Sequence, residues 1–229
     1  MGFFRPSGRY DRAKVLEAAN KARSKKKRAR AIQLYRWILA MEPQNQELHA
    51  KLGPLLAESG GDFDAWLSFN ATARACLREG HIDKAIAVYR EAAQLLPLEI
   101  QAWQGIGRLE RKRGRNMDGV KALLDGSRKF KRRGLRSQAI YLLRMAREIE
   151  PFHFQTILQL SRLLGATNQR QEAHRLLDGM TERCSGGQLR RIRGVQFRLS
   201  PGVVTAWQWL QAAVRPSTHA SRTRAARRA

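Results

Sequence analysis

The chain returns on itself at an interval of 54 residues. Ala31, Ala85 and Ala139 share a phase, four positions later stand Tyr35, Tyr89 and Leu143, and eight beyond those stand Pro43, Pro97 and Pro151. Sliding residues 44–97 over 98–151 sets Gly53 on Gly107, Gly60 on Gly114, Gly80 on Gly134, Ile86 on Ile140, Arg90 on Arg144 and Ala92 on Ala146. The matched residue types are those with a local mechanism. Glycine closes a helix by taking the left-handed conformation, proline blocks its continuation, and alanine in an apolar face lets two helix backbones approach. A fixed period of this length marks stacked supersecondary units, which place function on surfaces rather than in an enclosed pocket.

The 229 residues suffice for a sizeable core. Ala, Leu, Arg, Lys, Gln and Glu dominate, and no window shows the β-branched alternation of a strand, so the fold class is all-α. Apolar periodicity and breakers predict a disordered lead over 1–9 and helices over 10–24, 28–41, 46–58, 63–78, 82–95, 99–112, 117–132, 136–148, 152–164, 169–183, 188–198 and 203–214. Asn70 and the Asp125-Gly126 pair leave the middle helix of each unit, 63–78 and 117–132, either continuous or kinked, and Ser185-Gly186-Gly187 marks a break. The organisation expected is one domain over 10–214, with units at about 10–43, 44–97, 98–151 and 152–187 and a cap over 188–214. Val203, Trp207, Leu210 and Val214 are expected to form the packed stripe of a closing helix, followed by a disordered basic tail over 215–229.

Gly80, Ala85, Tyr89, Ala92 and Pro97, followed by Trp103, Ile106, Gly107 and Gly114, resemble the two halves of the tetratricopeptide repeat motif. The usual period of that family is 34 residues, so the chain looks like a longer, three-helix variant with an inserted helix, covering roughly residues 12–183. The resemblance implies a right-handed helical-repeat solenoid with atypical C-terminal capping helices. It also implies a scaffold that binds protein partners without chemistry of its own. In the family the first helix of each repeat lines a concave groove, which makes Asn20, Arg23, Lys51, Gln104, Arg108, Arg111, Gln159 and Arg162 the groove-facing candidates. The Lys and Asn set that some members use to clamp a C-terminal carboxylate is incomplete here.

Charge narrows the class of partner. Lys and Arg outnumber Asp and Glu by 44 to 19, and the excess is uneven: residues 44–97 carry a net −2, while 1–43 carry +9 and 98–151 carry +8. Lys25, Lys26, Lys27 and Arg28, then Arg128, Lys129, Lys131, Arg132 and Arg133, gather at helix ends. One or two cations satisfy the negative pole of a helix dipole, whereas runs of five repel one another unless an anion screens them. Guanidinium groups one turn apart suit bidentate capture of carboxylates. The reading is therefore a basic groove for acidic peptides or protein surfaces. The alternatives are a weakly sequence-specific RNA or DNA binder using the basic clusters, and a peripheral membrane adaptor using the terminal helix. A merely solvated basic surface stands beside all three.

Nothing points to an enzyme or a cofactor. The five histidines are scattered, with no metal-ligand spacing and no glycine-rich phosphate loop. Cys76 and Cys184 lie two periods apart, in a phase whose middle member is Phe130, which marks them as apolar packing residues. Trp66, Trp103 and Tyr89 likewise fall in core phases. Two cysteines without a disulfide framework suit a reducing, cytoplasmic compartment. The apolar segment 203–214 is too short to span a bilayer about 30 Å thick.

Overall fold

Left-handed turns and prolines cut the chain into helices of nearly equal length. The computed structural model describes residues 10–214, and among these no strand occurs. The helices are α1 (Arg12–Ser24), α2 (Arg28–Met41), α3 (Gln46–Glu58), α4 (Asp62–Arg78), α5 (Ile82–Leu95), α6 (Ile100–Lys112), α7 (Asn116–Ser127), α8 (Arg136–Ile149), α9 (Phe154–Ala166), α10 (Arg170–Thr181), α11 (Gly186–Leu199) and α12 (Val203–Val214). The expected lead 1–9 and tail 215–229 lie outside the described residues. The chain divides into two compact units between Gly105 and Ile106, a boundary that falls inside α6.

Local chemistry accounts for the helix ends. Gly60, Gly80 and Gly114 close α3, α4 and α6 at φ of 76°, 79° and 74°, where an L side chain is strained. Asn168 takes the same conformation after α9 at φ 64°, as asparagine tolerates better than most residues. Pro43, Pro97 and Pro151 follow α2, α5 and α8. Side chains cap four of the N-termini: Asp11 accepts from the N–H of Ala13 and Lys14, Asn45 from Leu48, Glu99 from Gln101, and His153 from Thr156.

In the first unit α1 packs on α2, and α4 packs on both α3 and α5. Tyr35, Ile38, Leu48 and Phe69 are fully buried there. Phe69 lies across Gly53 of α3, and the Trp66 ring stacks on Tyr89 of α5 at 6.0 Å. Truncating a buried aromatic of this kind costs about 3–5 kcal/mol. In the second unit α7 packs on α8, α8 on α9, α9 on α10 and α11 on α12. Leu123, Leu142, Leu143, Leu158, Leu160 and Leu164 form its core. Cys76 and Cys184 are buried and unpaired with each other, and Trp66, Trp103 and Tyr89 are buried as well.

Helix α4 runs unbroken through Asn70, whose side chain accepts a hydrogen bond from Tyr89 and so is satisfied without a kink. Four expectations are corrected. Helix α7 passes Asp125-Gly126 but stops at Ser127 rather than at 132, because Phe130 turns inward to 2% exposure. Gly134 consequently sits in a short 3-10 turn at Arg133–Leu135 and does not close a helix as Gly80 does. Gly186 and Gly187 open α11 instead of separating two helices. Finally, α12 faces the other way from the expected stripe: Val203, Trp207 and Leu210 are exposed, and Trp209 instead stacks on Phe197 at 6.2 Å.

Candidate functional site

Two of the four groove candidates of the first unit, Asn20 and Lys51, are engaged within the unit itself. Asn20 accepts from the Tyr35 hydroxyl at 2.8 Å, and Lys51 is half-buried and bonded to Glu47 at 2.6 Å. Gln104 is half-buried and already has a partner, while Arg23 is exposed at the end of α1. Lys25, Lys26, Lys27 and Arg28 are exposed on the α1–α2 turn, and Arg28 reaches Glu58 at 2.9 Å.

The first unit holds instead a cleft of about 560 Å³ between the α2–α3 turn and the last turns of α4. His49, Leu77 and the exposed Arg74 and Arg78 line it, and no carboxylate does. Nε2 of His49 donates to the Pro43 carbonyl at 2.9 Å, and its Nδ1 is buried with no hydrogen-bond partner among the described residues. Sequence reasoning missed this cleft because Arg74 and Arg78 belong to the one unit whose charges nearly cancel. Their spacing of four on a single helix was the available signal.

In the second unit Arg108 and Arg111 are exposed on α6, and Arg108 has a partner. Arg128, Lys129, Lys131, Arg132 and Arg133 are exposed around the buried Phe130, with Arg128 bonded to Asp125 at 2.7 Å. Gln159 is half-buried on α9. Arg162 stands one turn further on, at the junction of two adjoining clefts of about 210 and 380 Å³. Arg198 of α11 lines both with it. Arg170 adds to the smaller cleft, and Arg190 and Arg191 to the larger one. Burial first, then Arg198 and Arg191, lowers the pKa of the Arg162 guanidinium from its ordinary value.

Arginine-lined clefts of this kind suit anion binding. Among the described residues no group of three His, Cys, Asp or Glu side chains is placed to hold a metal ion. Burial raises both thiols, Cys76 and Cys184, above their ordinary pKa, away from the reactive thiolate. No helix among the described residues is long and apolar enough to cross a membrane.

Residues 66–109, from within α4 through α5 into α6, match the family model described as tetratricopeptide repeat. No curated protein matches the chain in sequence. Similar solved structures include a tetratricopeptide repeat protein from Parabacteroides merdae, 15% identical, with 88% of this chain and 91% of that one covered at a TM-score of 0.34. Others are MamA from Desulfovibrio magneticus, 14% identical over 76% of this chain and 96% of that one, TM-score 0.26, and human IFIT1 with PPP-AAAA, 18% identical over 80% and 44%, TM-score 0.32.

Proposed function

We propose, for a chain that is a helical-repeat protein with a tetratricopeptide repeat at residues 66–109, the role of a non-catalytic scaffold that holds acidic peptides or acidic protein surfaces. The carrying observation is that each compact unit presents a cleft lined by arginine and by no carboxylate, at Arg74 and Arg78 in the first and at Arg162 and Arg198 in the second. Guanidinium groups pair carboxylates bidentately, so an acidic segment neutralises both the charge and the donors of such a cleft. Arg23 in the first unit and Arg111 in the second are exposed as well.

The repeat itself is read here as a three-helix unit. Its first helices, α3, α6 and α9, begin at Gln46, Ile100 and Phe154, and its middle helices, α4, α7 and α10, at Asp62, Asn116 and Arg170. Because the matched segment begins within α4, the middle helix serves as the opening helix of a hairpin with α5 and also as the packing partner of α3.

Titration of the full chain with an acidic peptide and with its glutamine analogue tests the role. Arg74→Glu with Arg78→Glu should weaken the acidic peptide about tenfold or more. A partner set captured from lysate that vanishes on nuclease treatment overturns the protein-scaffold reading in favour of nucleic acid. A second reading, a peripheral membrane adaptor, draws on the exposed Val203, Val204, Trp207 and Leu210 of α12. Equal flotation with liposomes of the full chain and of a chain ending at Pro201 rules it out.

A further inference from the structure

The clefts around Arg162 carry more positive charge than a carboxylate partner neutralises. No aspartate or glutamate follows Glu182 in the sequence, whereas ten arginines do. Two nearby carboxylates are already engaged: Glu172 takes Arg144 at 2.8 Å, and Asp178 accepts from Gln196 at 2.6 Å. Other arginines here also have partners. Arg193 donates to Gln196 and Gln208, and Arg183 stacks on Phe152. Arg162, Arg190, Arg191 and Arg198 line one opening of about 380 Å³, with no carboxylate among the described residues that line it.

The opening has a shape as well as a charge. Arg191 and Arg198 stand seven residues apart on α11, two turns of one face, about 10 Å along the axis. Gly194 lies midway between them and has no side chain to fill the gap. A Cβ there would come within 3.3 Å of Nε1 of Trp209, so the indole edge borders this floor. Arg162 reaches in from α9, and Phe154 of the same helix lies under the Arg191 guanidinium at 5.9 Å. The floor is therefore backbone and indole, and the walls are guanidinium.

We propose that this cleft binds a phosphoryl group, with Arg162, Arg191 and Arg198 supplying the charge and the donors and the Gly194 backbone and Trp209 indole edge lining the floor. A carboxylate brings one negative charge. A phosphate monoester brings about −1.5 to −2 at pH 7 and three acceptor oxygens, which matches three guanidinium forks more closely. Burial first, and then the neighbouring Arg198 and Arg191 charges, disfavour the Arg162 charge, and a bound dianion offsets both. One phosphoryl group needs only the guanidinium groups around Gly194, whereas a nucleic-acid strand requires a succession of phosphate positions, which a short RNA tests. The site stands without the scaffold reading. That reading is tested at Arg74 and Arg78, so either fails independently of the other.

The test titrates the full chain with inorganic pyrophosphate and with a phosphoserine peptide, against acetate and chloride at matched ionic strength. Binding is followed by calorimetry and by indole fluorescence, with Trp209→Phe assigning the optical signal. Saturable binding is expected, weakened about tenfold or more by Arg162→Gln with Arg198→Gln. Gly194→Leu should weaken it similarly while leaving every charge in place. Gly194→Ala, whose Cβ requires the Trp209 edge to shift by only a few tenths of an ångström, answers the same question should the leucine variant fail to fold. Binding of the phosphopeptide alone assigns the group to a modified partner, and of pyrophosphate alone to a free phosphate compound. Phosphate bound no better than acetate, or bound equally by the Gly194 variants, overturns the proposal. So does a short RNA that binds unaffected by those variants and is not displaced by pyrophosphate.

Discussion

The Tyr35 hydroxyl donates to Oδ1 of Asn20 at 2.8 Å, and 54 residues further on the Tyr89 hydroxyl donates to Oδ1 of Asn70 at 3.2 Å. Both bonds tie neighbouring helices, α1 to α2 and α4 to α5. Each tyrosine ring is buried, so its hydroxyl has few other partners. Tyr35→Phe should cost about 1 kcal/mol, and Asn20→Ala added to it should cost much less than the sum of the two single changes. Urea unfolding of the four members of that cycle measures the coupling. Strict additivity would show that the bond contributes nothing.

Gly107 and Gly179 make opposite predictions for the same residue type. A Cβ at Gly107 would stand 2.8 Å from Leu123 of α7, so Gly107→Leu should overpack that contact and cost about 1–3 kcal/mol. Gly179, inside α10, meets nothing within 4 Å, and Gly179→Ala should stabilise by about 0.5–1 kcal/mol through helix propensity. Thermal melts of the two variants should move in opposite directions.

His153 caps α9 as a neutral ring, with Nδ1 accepting the Thr156 N–H. Burial pushes its pKa below the ordinary histidine value, against a smaller opposing effect of Glu150. The unfolded chain therefore binds a proton more readily than the folded one. The stabilisation is present above the ordinary histidine value and is lost as pH falls through that value towards the lower folded one. His153→Asn retains a capping oxygen and should flatten this part of the stability profile. Denaturation midpoints of the two proteins between about pH 7.5 and 5 check it.

The two tryptophans of α12 should respond unequally. Trp209 stacks on Phe197, whereas Trp207 is 61% exposed. Trp209→Ala should destabilise the protein by about 2 kcal/mol or more, and Trp207→Ala by less than about 0.5 kcal/mol. Equal effects would place the packed face where the sequence had suggested.

That contrast shows where a sequence stops being legible. Helices bounded by Gly60, Gly80 or Gly114, or by Pro43, Pro97 or Pro151, were readable to within a residue or two, because those residues act through their own backbone geometry. In α12 two apolar faces share one helix, Val203-Trp207-Leu210 and Ala206-Trp209-Ala212, and periodicity alone cannot rank them. At the end of α7, Phe130 lies among Lys129, Lys131 and Arg132, and only its tertiary burial shows that the helix has stopped. The clefts were hidden for a related reason. Arg74 with Arg78, and Arg162 with Arg198, become candidate sites through what is missing beside them, since no carboxylate among the described residues lines either cleft.

Helix α4 packs on α3 through Phe69 and on α5 through Trp66. Nearest-neighbour coupling in repeat proteins is ordinarily counted between hairpins, each of which can fray with some independence. A helix shared by two neighbours removes that independence. The smallest cooperative element of the first unit is then a triplet of helices, and local opening that exposes α5 must also loosen α3.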